Sequence, residues 1–212
     1  MGDRSVTRWL LAGGVIGPVL FVVVFLVEGA TRPGYDPMRM FVSLLSLTDL
    51  GWQQVANFVV SGLLVTAGAH GLRTQLREGP GATWGPRLVY LAGVGMVLAG
   101  VFVTDPGFGY PPGTPLGMPA NPSASEIVHD LASLLAFAAL AAAMLVIARR
   151  FAGEGSRWAL YSRLSALGEI GFLIGAFSLP EVAGLLQRVA ILLALGWVAQ
   201  VCRRYWREAA AA

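Results

Sequence analysis

Residues 10–27 read LLAGGVIGPVLFVVVFLV, eighteen residues without a single charge. An α-helix needs about 20 mainly apolar residues to cross the ~30 Å hydrocarbon core of a bilayer, so this stretch predicts a membrane-spanning helix. It is longer than the apolar part of a cleaved signal peptide, and we expect it to be retained. Five stretches of similar length follow, at residues 51–72, 86–104, 127–148, 159–178 and 182–201. The chain, residues 1–212, is therefore predicted to be one all-α integral membrane domain, a bundle of six transmembrane helices.

The composition agrees with a membrane location and excludes other classes of protein. Of the 212 residues, 56% are hydrophobic and 13% are charged, whereas soluble domains carry about 25% charged residues. All 15 basic residues are arginines, and they form no stripe with interleaved aromatics that a phosphate backbone could follow, so no nucleic-acid partner is expected. The single cysteine, Cys202, excludes an internal disulfide.

The arginines are divided unevenly between the two ends of the predicted helices. One side has three, namely Arg32, Arg39 and Arg188. The other side has twelve, namely Arg4, Arg8, Arg73, Arg77, Arg87, Arg149, Arg150, Arg157, Arg163, Arg203, Arg204 and Arg207. Because cytoplasmic loops are enriched in basic residues, this pattern predicts a multi-pass protein of the bacterial cytoplasmic (inner) membrane with both termini in the cytoplasm.

The outer connections are long, rich in turn residues and predicted to be ordered. Residues 38–47 have apolar side chains at Met38, Phe41, Leu44, Leu45 and Leu47 with polar residues between them, which favours a short amphipathic helix in the headgroup region. Thr48 or Asp49 is predicted to be the N-cap of the second span. Ser123 and Glu126 form a capping box that should begin the fourth span.

The predicted catalytic candidates are Asp105, His129 and Asp130, which lie where the third and fourth spans reach the outer surface. An ionisable pair one turn inside an apolar helix is costly to desolvate, which points to function. Carboxylate and imidazole groups suit acid–base chemistry. The alternative interpretation is that these residues, and Asp105 above all, cap helix ends. No metal ligand is assigned, and the cofactor is unknown.

A second set of residues is predicted to bind substrate. Arg32 or Arg39 would clamp an anionic head group, and aromatic rings near the same face would line an apolar pocket. The full set of binding candidates is Arg32, Tyr35, Asp36, Arg39, Asp49, Trp52, Phe108 and Tyr110.

Two charged residues lie deeper, Glu169 in the middle of the fifth span and Arg188 in the outer half of the sixth. Charges at that depth are rare and are usually paired or functional. They are predicted either to pair with each other or, in the case of Glu169, to face a cavity and carry protons. Pairs of small residues, Gly13 with Gly17, Gly95 with Ala99 and Gly171 with Gly175, predict close helix packing.

Short motifs along the whole chain resemble one family. They are RPGYDP at residues 32–37 followed by SLLS at residues 43–46, a proline-rich loop opened by DP at residues 105–106, and the histidine–aspartate pair at residues 129–130. With six short spans, this pattern resembles the domain of unknown function 998 family of bacterial and archaeal membrane proteins. The resemblance implies topology and membrane location, and it implies no reaction.

Three functions remain open from the sequence. The first is an acidic, aromatic-lined site at the extracytoplasmic face that binds a lipidic or isoprenoid molecule, either for acid–base catalysis or for binding alone. The second is a proton-coupled transporter that uses Glu169 and Arg188. The third is a non-catalytic assembly subunit. The partners expected are the lipid bilayer and a lipidic small molecule, and the small-residue faces suit either a single bundle or an oligomer.

Overall fold

The structure of the protein, a computed structural model, describes residues 2–154 and 157–211. Within these residues there are six long helices and no β-strand, which confirms the predicted all-helical fold. The helices are α1 (Gly2–Thr31), α2 (Gly51–Gln75), α3 (Trp84–Val101), α4 (Ala124–Gly153), α5 (Arg157–Ser178) and α6 (Ala183–Ala211). Several extend beyond the apolar stretches, because hydropathy marks the apolar part of a helix and backbone hydrogen bonding continues past it.

Five helices, α1 to α4 and α6, are long and apolar enough to cross a membrane. The fifth helix carries Arg157, Arg163 and Glu169 within its 22 residues, and these charges lower its hydropathy below that of the others. The molecule is therefore a multi-pass helical bundle of the membrane-protein type. A full crossing by α5 stays a prediction.

The six helices form a closed ring in chain order. Each helix packs against the next one along the chain, and α6 returns to pack against α1. At the end of the ring that holds both terminal helix ends, the Arg8 guanidinium lies 4.8 Å from the centre of the Trp206 ring. The start of α1 and the end of α6 therefore lie at the same end of the bundle.

Small residues allow the helix backbones to approach closely. A Cβ added to Gly68 of α2 would lie 2.4 Å from the Gly14 Cα of α1, and one added to Gly95 of α3 would lie 2.7 Å from the Ala132 carbonyl oxygen of α4. Gly13 and Gly95 lie at helix contacts, as predicted. Gly171 does not, because nothing lies within 4 Å of its added Cβ; in this exposed position a small residue serves no packing purpose.

Residues 32–50 and 102–123 lie together at the opposite end of the ring, which we call the loop end. Tyr35 contacts Tyr110 edge to face with ring centroids 5.4 Å apart, and Phe41 contacts Phe108 in the same way at 5.0 Å. The two connections are therefore one packed layer.

The first of these connections differs from its prediction in two respects. A 3-10 helix, Val42–Ser46, replaces the amphipathic helix expected over residues 38–47, and its side chains are buried against α1, α2 and α6. Leu44 and Leu45 are buried in the bundle, where more of their apolar surface is removed from polar surroundings than in the headgroup region. The expected N-cap was also wrong, because α2 has Leu50 at this position with no side-chain cap, and Asp49 is exposed.

Candidate functional site

A cavity of about 580 Å³ lies between α4 and α5 near the loop end. Its polar side chains come mainly from α4, which contributes Glu126, His129, Asp130 and Ser133, while α5 contributes Glu169. Apolar side chains of α4 and α5 form much of the rest of the wall, and the loop end and α6 add Phe41, Ser43, Phe108, Met118, Pro119 and Gln187. The cavity is thus apolar over most of its wall, with a few polar groups on α4 and α5.

The start of α4 fixes where these polar groups lie. The Ser123 hydroxyl accepts the Glu126 N–H at 3.1 Å, which confirms the predicted cap. The Glu126 carboxylate does not return to Ser123. It accepts the Asp105 N–H at 2.6 Å, and the Asp105 carboxylate accepts the Ser123 N–H at 2.6 Å. These two hydrogen bonds join the loop at Asp105 to the start of α4, so the first turns of α4 are held in place.

His129 is buried one turn further along α4 and is fixed through one ring nitrogen. Its Nδ1 lies 2.8 Å from the Ala99 carbonyl oxygen and 2.9 Å from that of Phe102, at the end of α3. Because carbonyl oxygens only accept hydrogen bonds, Nδ1 carries the proton. In a neutral ring Nε2 then has a free lone pair, and His129 lines the cavity.

Glu169 is completely buried on α5 and lines the same cavity. Among the described residues, no group donates a hydrogen bond to either of its carboxylate oxygens. A buried carboxyl group without a partner is costly, so this is the side chain in the cavity whose bonding is least complete.

A smaller chamber of about 70 Å³ lies deeper in the ring, between α1, α3, α4 and α6. It shares Ser43, His129, Ser133, Phe137 and Gln187 with the larger cavity. These five residues therefore separate a buried, largely apolar chamber from the α4–α5 cavity.

Comparison with known proteins agrees with the whole arrangement of helices and loops. The family described as Protein of unknown function (DUF998) matches residues 15–204, from α1 through to α6. The chain belongs to this family. No curated protein and no solved structure matches the chain. The DUF998 match confirms the resemblance inferred from the sequence, and no reaction comes with it.

Arg32, the first residue of the RPGYDP segment at residues 32–37, is buried and is bonded within the protein. The Arg32 guanidinium donates hydrogen bonds to the carbonyl oxygens of Leu45, Leu47 and Leu50 at 3.2–3.3 Å, and it lies 3.4 Å from the Glu28 carboxylate. Its donors are occupied in holding the turn before α2. The predicted role of Arg32 as a head-group clamp stays a prediction.

Arg188 plays the same part on the other side of the loop end. Its guanidinium donates to the carbonyl oxygens of Pro37, Met40 and Gly184 at 2.8–2.9 Å and to the Tyr35 hydroxyl. The predicted alternative of a Glu169–Arg188 ion pair is wrong, since neither carboxylate oxygen of Glu169 has a partner among the described residues. The donors of Arg188 are directed to the loop carbonyls of Pro37 and Met40, to the Gly184 carbonyl in the first turn of α6, and to the Tyr35 hydroxyl.

Tyr35 completes this cluster. Its hydroxyl lies 3.1 Å from the Met40 carbonyl oxygen and 3.0 Å from that of Phe41. Burial raises the pKa of Tyr35 to about 12, although the Arg188 charge acts to lower it. The hydroxyl therefore keeps its proton and can donate it to a carbonyl. Tyr35 and Tyr110, both buried, are packing residues of the loop end and do not line the cavity.

The remaining binding candidates are scattered. The Asp36 carboxylate accepts the Met38 N–H at 2.9 Å in a local turn, and Arg39 is exposed and paired with Glu181. Trp52 is 66% exposed and lines a separate surface groove between α1 and α2. Of the predicted site residues, the cavity brings together His129, Asp130, Phe108 and Glu169.

Asp105 does not line this cavity, because its carboxylate binds the N–H and hydroxyl of Ser123. Gln187 was not predicted from the sequence; its Oε1 accepts the Val42 N–H at 2.8 Å. A glutamine next to Arg188 in an apolar stretch was the available signal. Within the described residues, no three His, Cys, Asp or Glu side chains are grouped to hold a metal ion.

Proposed function

We propose that this DUF998 protein binds a lipidic small molecule in the α4–α5 cavity, with the polar part of the ligand near His129 and Glu169. The observation that carries the proposal is a cavity of about 580 Å³ lined by a buried carboxyl group, that of Glu169, to which none of the described residues donates a hydrogen bond. Cavities of this size that combine an apolar wall with a few convergent polar groups are typical of small-molecule sites.

The position of the cavity favours a ligand that arrives from the bilayer. Three of its lining residues, Leu134, Ile174 and Phe177, are each more than 60% exposed and lie on the outer surface of the bundle. Large apolar side chains exposed on a membrane helix face lipid, so the opening between α4 and α5 is surrounded by acyl chains. A lipid or isoprenoid could enter sideways without leaving the membrane.

We expect a substitution that fills this opening to remove the ligand. Ala138 lines the cavity and is exposed, so Ala138→Trp should obstruct the opening without a clash in the core. Leu135→Trp is the matched control, since Leu135 is exposed on the same helix but does not line the cavity. Native mass spectrometry of the full chain in mild detergent should show one lipidic ligand per chain in the wild type and in Leu135→Trp.

In Ala138→Trp we expect the occupancy at limiting ligand to fall about tenfold, which corresponds to ~1.4 kcal/mol of binding free energy. A wild-type protein that carries no lipidic ligand, or equal occupancy in all three proteins, would contradict the proposal.

Acid–base catalysis on the bound ligand is the second candidate function. The observation that favours it is the fixed imidazole of His129, whose Nδ1 is held by two carbonyl groups, an arrangement that suits a general base acting through Nε2. Asp130 lines the same cavity. Catalysis predicts that the ligands released from wild type and from His129→Asn differ in chemical structure, which chromatography with fragmentation mass spectrometry detects even where an isomerisation leaves the mass unchanged. Identical ligands indicate binding alone. For the transporter alternative, Glu169 lines a cavity, as a proton carrier would, but the donors of Arg188 are bound to backbone carbonyls.

We also propose that the loop end faces the outside of a bacterial cytoplasmic membrane and that both termini are cytoplasmic. The uneven distribution of arginines supports this orientation. Leu116 lies at the loop end and is 86% exposed. In a Cys202→Ala background, a membrane-impermeant maleimide should therefore label Leu116→Cys in intact cells. Glu78→Cys, between α2 and α3, should react only after lysis. The reverse labelling pattern would invert the topology.

A further inference from the structure

We infer that the α4–α5 cavity selects a lipidic ligand whose head group donates hydrogen bonds, a hydroxyl or an amine, and that Glu169 accepts them. This inference rests on the proposed function, because it names the chemistry of the ligand in that cavity. It follows from which hydrogen-bonding groups of the cavity are already used inside the protein and which are not.

Glu169 supplies the unused acceptors. Its side chain is 0% exposed, it lines the cavity, and no described residue donates to either oxygen. A carboxyl group keeps at least one acceptor oxygen whether or not it is protonated. Leaving that oxygen buried without a donor is unfavourable, so a ligand that brings an O–H or N–H group gains a bond that the protein does not make itself.

His129 adds a second acceptor. His129 Nδ1 donates its hydrogen bond to the carbonyl oxygens of Ala99 and Phe102, so in the neutral tautomer Nε2 is an acceptor, and His129 lines the cavity. The Glu126 carboxylate is already engaged through Oε2 by the Asp105 N–H. The cavity thus offers acceptors on both α4 and α5, which suits a head group with more than one donor.

The charges in the cavity disfavour an anionic head group. Three carboxyl groups line it, those of Glu126, Asp130 and Glu169, and the described lining residues include no arginine. The two buried arginines of the loop end have their donors bound to carbonyl oxygens. An anionic head group would be buried here without a counter-charge, which is costly, so phosphate or carboxylate head groups should bind poorly.

The test uses three probes with the same acyl-chain length: monopalmitoylglycerol with hydroxyl groups, hexadecylamine with an amine, and palmitate with a carboxylate. Titrations of the full chain in mild detergent, read by native mass spectrometry, should give affinities for the first two probes at least about tenfold higher than for palmitate. In Glu169→Gln we expect the amine to lose at least about tenfold in affinity, because a charge-assisted hydrogen bond is lost. Glu181→Gln is the matched control, since Glu181 is exposed, pairs with Arg39 and does not line the cavity.

The outcomes separate this inference from the proposed function. Equal binding of all three probes that Ala138→Trp abolishes would keep the cavity as a lipid site and overturn the head-group selection. Preferential binding of palmitate, or an unchanged amine affinity in Glu169→Gln, would also overturn it. If no probe binds and no ligand copurifies, the proposed function fails as well. The wild-type preference is a test that does not depend on the folding of any variant.

Discussion

Arg188→Leu is expected to lower the free energy of unfolding by about 3 kcal/mol or more. The guanidinium is 6% exposed and donates to the carbonyl oxygens of Pro37 and Met40 and to the Tyr35 hydroxyl. Leucine fills part of the volume but leaves the Pro37 carbonyl without a donor among the described residues, leaves the Met40 carbonyl with the Tyr35 hydroxyl alone, and removes the donor to that hydroxyl, at about 1–3 kcal/mol for each unsatisfied group. SDS titration of the protein in mixed micelles, followed by tryptophan fluorescence, measures the change.

Two further variants make this measurement specific. Arg39→Leu removes an exposed ion pair with Glu181 at the same loop end and should cost less than about 1 kcal/mol. Arg188→Lys keeps the charge but cannot reproduce the planar set of donors, so its stability should lie between those of wild type and Arg188→Leu. Equal loss of stability in Arg188→Leu and Arg39→Leu would show that the buried hydrogen bonds do not hold this end together.

The second large effect is expected from Arg32→Met. Arg32 and Glu28 are one helical turn apart, both are buried, and their charged groups are 3.4 Å apart. Removal of the arginine leaves the Glu28 carboxylate buried without its counter-charge and frees the carbonyl oxygens of Leu45 and Leu47. Breaking a buried pair on one side costs about 3–5 kcal/mol, so we expect a loss of that size in the same titration.

The double variant Arg32→Met with Glu28→Gln separates the two causes. It should recover the part of the loss that comes from the isolated carboxylate, and the part that remains belongs to the freed carbonyl groups. A double variant that is as unstable as Arg32→Met would show that Glu28 is not held by the Arg32 charge.

The two buried arginines of the loop end, Arg32 and Arg188, have a structural role. From the sequence, Arg32 was a candidate head-group clamp. Arg188, because of its depth, was a candidate partner of Glu169 or part of a proton-coupled small-molecule transporter. In the structure both satisfy backbone carbonyl groups of residues 37–50, a segment with one short 3-10 helix, Val42–Ser46. Irregular backbone at the end of a membrane bundle needs such donors, because few other partners are available there.

The sequence was informative about the site where a residue acts through its own helix. His129 and Asp130 were identified from their position one turn inside an apolar helix, and both line the cavity. Ser123 was identified as a cap from its spacing to Glu126. Asp105 showed the limit of this reasoning: it lies near the same helix start, yet its carboxylate is bound to Ser123, a contact between residues 18 positions apart.

By itself, the sequence determined the helical fold, the number and order of the six helices, and the family. These follow from the length and hydropathy of each stretch, which are properties of neighbouring residues. Tertiary structure alone decided that Arg188 binds the carbonyl oxygens of Pro37 and Met40. It also decided that Glu169 lies beside a cavity with no hydrogen-bond donor among the described residues. The reason is that a buried polar group takes its partner from whichever helix or loop packs against it, and that choice depends on how the whole ring closes.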